Sequence, residues 1–233
     1  MNTLHYIFDP FCGWCYAAAP LLRAAQGVAG LDLALHGGGM LAGARRRAIT
    51  PQWRDYVMPH DQRIAALTGQ PFGAAYFDGL LRDTAAVMDS APPTTAILAA
   101  EAVAGRGLDM LHALQHAHYV AGRRIAEPAV LEAIAAGLGL PAQAFAAAFG
   151  RLAGAATEAH IDESLAWLSR SGGQGFPTFA FEDARGHLTR LDTGAFLGQP
   201  EAFAAALRER LPAAAGGPAA AQCGLTGCVP PGD

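Results

Sequence analysis

Phe8-Asp9-Pro10-Phe11-Cys12-Gly13-Trp14-Cys15-Tyr16 is the stretch that decides the fold. It joins an apolar run, Leu4-His5-Tyr6-Ile7-Phe8, to an Ala/Leu-rich segment of helical character. Two thiols spaced C-x-x-C at such a strand-to-helix junction share a disulfide within one helical turn. The first also sits where free backbone N–H groups and the helix dipole favour negative charge. That setting draws a thiol below the roughly 8.5 of a free cysteine, so Cys12 reads as a nucleophilic thiolate. The chemistry implied is thiol–disulfide exchange.

Working outward, the pattern predicts a strand over 3–8, a helix over 13–28 and a strand over 31–36. Thr50-Pro51 is an N-cap followed by proline at the first helical position, and Gly69 closes that helix. Pro92-Pro93 starts another that ends near Gly105 or Gly107, Pro128 and Pro141 start two more, and a further helix runs from about Ala155 to Arg170. Strand character returns at Thr178–Glu182, turns at Arg185-Gly186 and pairs back over His187–Leu191, before a last helix at about Gln199–Arg210. From Pro212 onward Ala, Gly and Pro dominate, as expected of a flexible tail. The strands at the two ends need each other to complete a sheet. The expected organisation is therefore a discontinuous domain of residues 1–43 and 155–211, a helical insertion over 44–154, and a tail over 212–233 carrying Cys223 and Cys228.

Composition excludes several classes. The 233 residues are 52% hydrophobic and 15% charged, enough for a full core and unlike a disordered chain. A net charge of −4 gives no electrostatic reason for nucleic acid binding. All 16 basic residues are Arg, which removes Walker A loops and lysine Schiff bases. No basic n-region and apolar h-region open the sequence, and the most apolar window, 133–150, is too interrupted to span a bilayer. We therefore expect a cytoplasmic protein, without a membrane partner. There a C-x-x-C is catalytic or metal-binding rather than a structural staple.

The stretch Phe8–Tyr16, followed much later by Gly175-Phe176-Pro177-Thr178-Phe179, resembles the DsbA family of thioredoxin-like proteins, in particular its FrnE-like, predicted disulfide-isomerase branch. The likeness runs over nearly the whole chain. It implies an α/β thioredoxin-like fold with a large all-helical insertion, and a protein-disulfide oxidoreductase or isomerase needing no cofactor beyond its redox-active disulfide. By the same resemblance Cys12 is the attacking thiol, Cys15 the resolving thiol, and Pro177 a cis-proline facing them. The backbone of Phe176 then offers polar groups to a substrate strand. Disulfide-containing or unfolded proteins are the implied partners, with glutathione or a thioredoxin system as reductant. Some members carry a C-terminal cysteine pair, so Cys223 and Cys228 are candidates for an internal redox partner. Two departures stand out. The buried acid often found six residues before the first cysteine is Tyr6 here, leaving Asp9 as a candidate proton relay through water or a cap of the helix start. The oxidising relatives' histidine between the cysteines is replaced by Gly-Trp, which implies a less oxidising couple.

Competing readings remain. Cys12 and Cys15 with Cys223 and Cys228 would supply a four-cysteine zinc site, making the chain a zinc-holding, redox-regulated binding module. A glutathione-dependent isomerase or transferase is a second reading, by resemblance to the kappa-class glutathione transferases and chromene-carboxylate isomerases, which are similar in insertion architecture but typically have serine at the position of Cys12. His36-Gly37-Gly38-Gly39 matches a lipase oxyanion loop, yet no G-x-S-x-G exists; the glycines instead let the chain pass close to the thiols. His112, His116 and His118 read as surface or half-buried histidines. Phe8 and Phe179 read as core by strand alternation. Trp14, exposed between the cysteines, reads as a substrate contact, with Phe11 and Phe176 as its neighbours.

Overall fold

The computed structural model describes residues 1–211. In chain order its elements are β1 (Asn2–Phe8), α1 (Gly13–Ala17), α2 (Ala19–Gln26), β2 (Leu31–Gly37), β3 (Arg47–Ala48), α3 (Pro51–Thr68), β4 (Val87–Met88), α4 (Ala91–Ala104), α5 (Gly107–Tyr119), α6 (Pro128–Gly137), α7 (Ala142–Leu152), α8 (Ala155–Arg170), β5 (Thr178–Glu182), β6 (Leu188–Leu191) and α9 (Pro200–Arg210). The order β-α-β, helices, β-β-α read from the sequence is the order found. The fold is thioredoxin-like.

The main sheet runs β2-β1-β5-β6. β1 lies parallel to β2 and antiparallel to β5, with Tyr6 opposite Phe179 and Leu4 opposite Phe181. As an interior strand β1 is buried on both faces, which is why its run is apolar rather than alternating. On one face Tyr6, Phe8 and Phe179 form an aromatic layer that Phe203 of α9 closes, with ring centroids of Phe179 and Phe203 5.6 Å apart. On the other face α8 covers β1 and β2. The β5–β6 turn is held by Asp183, whose side chain accepts the N–H groups of Arg185 and His187.

Two expectations are corrected. The helix expected over 13–28 is two helices, α1 and α2, because Pro20 has no N–H to give the carbonyl of Tyr16. That freed carbonyl accepts the side-chain amide of Gln70 at 2.8 Å, tying the broken helix to the segment after α3. The insertion is also not all-helical. Arg47 and Ala48 pair with Met88 and Val87 in the short β3–β4 ladder, and the Ile49 N–H donates to the Ala86 carbonyl next to it; Thr50, ahead of Pro51, is extended as residues before proline are. Thr50 caps α3 by accepting the Trp53 N–H at 3.1 Å, and Gly69 ends it in a left-handed turn, as read.

Candidate active site

The four-residue link after β1 fixes where the first sulfur stands. Asp9 is fully buried and organises that link. Its carbonyl accepts the Cys12 N–H at 3.1 Å, its Oδ1 accepts the Phe11 N–H at 2.9 Å, and its Oδ2 accepts the Met40 N–H at 2.6 Å. Burial raises the Asp9 carboxyl above the usual range, while the N–H groups that it accepts pull the other way. Asp9 thus staples the loop after β2 to the turn that precedes α1.

Cys12 is the N-cap of α1, and its Sγ accepts the Cys15 N–H at 3.3 Å. Its thiol donates to the carbonyl of Phe176, 3.5 Å away, and the Phe176–Pro177 bond is cis. Both cysteines are free thiols. Cys12 retains 6% exposure and Cys15 none, so the first cysteine is the one within reach of solvent. The Cys15 thiol is pushed well up, first by burial and then by its bond to and the charge of Cys12. Tyr6, at the position of the expected acid, has its hydroxyl donating to the Cys15 carbonyl at 3.2 Å.

A cleft of about 410 Å³ opens beside the thiols, walled by Trp14, Phe176, Pro177 and the segment Arg190–Gly194. Trp14 is half-buried rather than exposed, with the Arg63 guanidinium 5.8 Å from its ring centre. Phe176 is half-buried as well. Phe11 is in the interior, edge-on to His118 at 5.1 Å, because its N–H is tied to Asp9; it does not line the cleft. The glycines after His36 let the chain pass close to Phe176, with Gly38 packed on its ring.

The helices between β2 and β5 close the other side. Tyr16 stacks on Tyr119 at 4.8 Å and its hydroxyl donates to the Pro71 carbonyl at 2.8 Å. Phe72, Tyr76 and His118 complete this aromatic box. His118 is therefore buried, against expectation, because α5 turns it inward beside Phe11 and Tyr119. Burial lowers it to about 4. Asp61 of α3, which the sequence reading passed over, lies buried against Gly13 and accepts the Tyr76 hydroxyl at 2.8 Å. Ile64, one turn further along α3, packs against the same glycine, a contact that no sequence signal announces.

Among the described residues no cluster of three His, Cys, Asp or Glu side chains is placed to hold a metal ion. Cys223 and Cys228 lie outside the described residues, and with them both the zinc pairing and the internal redox exchange. Among the described residues no helix is long and apolar enough to cross a membrane.

A model of the DSBA-like thioredoxin domain matches residues 3–204. The structure is similar to that of a cytosolic disulfide reductase, DsbM from Pseudomonas aeruginosa, with 56% identity, a TM-score of 0.84 and coverage of 89% of this chain and 97% of that one. The same relative with GSH matches at 55% identity and a TM-score of 0.82, over 89% of this chain and 98% of that one. A putative protein disulfide isomerase from Nitrosomonas europaea, 23% identical with a TM-score of 0.73 over 89% and 96% of the two chains, shares the fold. No curated protein is significantly similar.

Proposed function

The chain belongs to the DSBA-like thioredoxin domain family and is a thiol–disulfide oxidoreductase; we propose that it works as a cytosolic protein-disulfide reductase recharged by glutathione. The observation that carries this is the position of Cys12 Sγ between the Cys15 N–H and the Phe176 carbonyl, with Phe176 and Trp14 themselves lining an open cleft. The description of the 56%-identical relative as a cytosolic disulfide reductase, and its structure with GSH, support the direction and the compartment.

In this reading the Cys12 thiolate attacks one sulfur of a substrate disulfide. A mixed disulfide forms and the other substrate sulfur leaves as a thiolate, which takes a proton. Cys15 is kept as a thiol by burial until then. Once Cys12 is bonded to substrate its charge is gone, and the second influence holding the Cys15 proton goes with it. Cys15 then gives up its proton and attacks Cys12, releasing the second substrate thiolate and leaving the enzyme disulfide. Two glutathione thiols return it to the dithiol and leave as glutathione disulfide. Trp14 and Phe176, on the cleft wall with Pro177, offer apolar surface to an unfolded substrate. A thioredoxin system could substitute for glutathione, and the Cys223/Cys228 pair is a further candidate for recycling.

Insulin reduction coupled to glutathione and glutathione reductase tests the proposal. Cys12→Ser should abolish turnover. Cys15→Ser should accumulate a mixed disulfide with one glutathionyl group on Cys12, seen by mass spectrometry. Wild-type turnover by Cys12→Ser would overturn the assignment.

A further inference from the structure

Gly13, between Cys12 and Trp14, has no room for a side chain. A Cβ there would stand 2.6 Å from Oδ1 of Asp61 and 3.2 Å from Cδ1 of Ile64. The space beside the first cysteine is thus filled by a carboxyl group that α3 delivers. It is 4% exposed, and its other oxygen is fixed by the Tyr76 hydroxyl. Resting on the thiol–disulfide reading above, we propose that Asp61 is a positioning residue for the redox poise of the CGWC pair: its carboxylate, one residue from Cys12 across Gly13, disfavours an ionised dithiol relative to the disulfide and so biases the couple toward giving electrons to substrate disulfides.

The interaction is one of like charges with a single residue, Gly13, between them, the carboxyl being buried so that its field is weakly screened. The groups that surround Asp61 do not cancel it. Tyr76 donates a hydrogen bond but carries no charge, and Tyr119 is held protonated by burial. His118, tilted against Tyr76 and edge-on to Tyr119, is held neutral by burial. Arg63, on the same helix, is turned over the Trp14 ring. Among the described residues no ion pair reaches the Asp61 carboxylate. Burial raises this carboxyl to about 6, with the Tyr76 bond opposing, so it is ionised near pH 7.5 and mostly neutral at pH 5.

The test is the position of the dithiol–disulfide equilibrium in glutathione redox buffers, read by thiol alkylation and mass spectrometry of the full chain. At pH 7.5 Asp61→Asn should be about three- to tenfold more oxidising than wild type, about 14–30 mV at the 29.6 mV per decade of a two-electron couple. At pH 5 the two proteins should converge, since the wild-type carboxyl is then protonated. Tyr76→Phe, which removes the bond that favours ionisation, should show part of the same shift at pH 7 and regain the wild-type position at pH 8.5. It also serves as the test if Asp61→Asn fails to fold. A wild-type equilibrium in Asp61→Asn at pH 7.5, or a shift that persists unchanged at pH 5, overturns the proposal. Either result with turnover still dependent on Cys12 overturns the role of Asp61 alone. Loss of the Cys12 dependence is what would remove the underlying reading.

Discussion

Gly38 and Phe176 are packed so closely that a Cβ on Gly38 would overlap Cε1 and Cζ of the Phe176 ring. Gly38 has no freedom to withdraw, because its N–H is bonded to the Phe8 carbonyl at 2.8 Å, one step beyond the β1–β2 register. Phe176 in turn carries the carbonyl that accepts the Cys12 thiol. A glycine at the end of one edge strand thus sets the position of the residue that faces the reactive sulfur.

Gly38→Ala should therefore act through Phe176. The backbone at residue 38 suits alanine, since its φ is not in the left-handed region, so the ring is what must move. We expect a rise in KM for insulin of about three- to tenfold, roughly 0.7–1.4 kcal/mol of binding. Alkylation of Cys12 by a small reagent should stay near the wild-type rate. Steady-state insulin reduction alongside iodoacetamide kinetics separates the two.

Asp9→Ala distinguishes a cap from a proton relay. The substitution strands the buried N–H of Phe11 and the half-buried N–H of Met40, both bonded to the carboxylate. An unsatisfied buried donor costs about 1–3 kcal/mol and a half-buried one less, so denaturant unfolding should show a loss of about 2–4 kcal/mol. The fraction that stays folded should still react at Cys12, with a normal pH profile. A normal stability with a displaced pH profile of turnover would instead point to a relay.

The sheet and the reactive corner were legible because local signals there agree with tertiary structure. Thr50-Pro51 and Gly69 bracket α3 as capping chemistry requires, and Phe8 and Phe179 are core as expected, although their strands are buried on both faces and not alternately. The break at Ala18 was missed because the Ala-rich composition of 16–25 outweighed one proline. What could not be read is what the inserted helices bring to the thiols. Asp61, Tyr76, Tyr119 and His118 reach the site from three separate segments. Nothing in their spacing says that Asp61 meets Gly13, 48 positions earlier in the sequence, since that contact depends on how α3 docks on α1. Phe11 was misplaced for a similar reason. Its neighbours suggest an apolar rim, and only the Asp9 turn shows that it points inward.

Trp14→Ala should separate large from small substrates. The indole forms part of the cleft wall with Phe176 and Pro177. An unfolded chain that covers about 50 Å² of it gains roughly 1.2 kcal/mol at about 25 cal/mol per Å². We expect KM for a reduced-affinity protein disulfide to rise about fivefold to tenfold, while reduction of a small disulfide such as hydroxyethyl disulfide changes less than about twofold. Equal losses for both would mean that Trp14 acts on the cysteine pair instead of on the substrate.

Acid should destabilise the fold through its buried histidines. His36 is pushed down to about 3, by burial first and then by His5, and His112 is lowered to about 4, by burial first and then by Arg23. His118 is lowered to about 4 by burial, and its Nδ1 finds no hydrogen-bond partner among the described residues. Below the unfolded value of about 6.5 the unfolded chain binds protons that the folded one refuses, so this stability is complete above pH 6.5 and falls as pH drops toward 4. Asp9 and Asp61 work in the opposite sense, because their raised carboxyls bind protons first in the folded state. They offset part of the loss without reversing it, since His160 is lowered as well. Urea midpoints should accordingly decline between pH 6.5 and 4.5. His118→Phe keeps the ring contacts with Phe11, Tyr76 and Tyr119 while removing one titrating group. It should flatten the decline by up to about 1.4 kcal/mol per pH unit and leave stability at pH 8 equal or higher. A slope identical to that of wild type would show that His118 takes up its proton without unfolding.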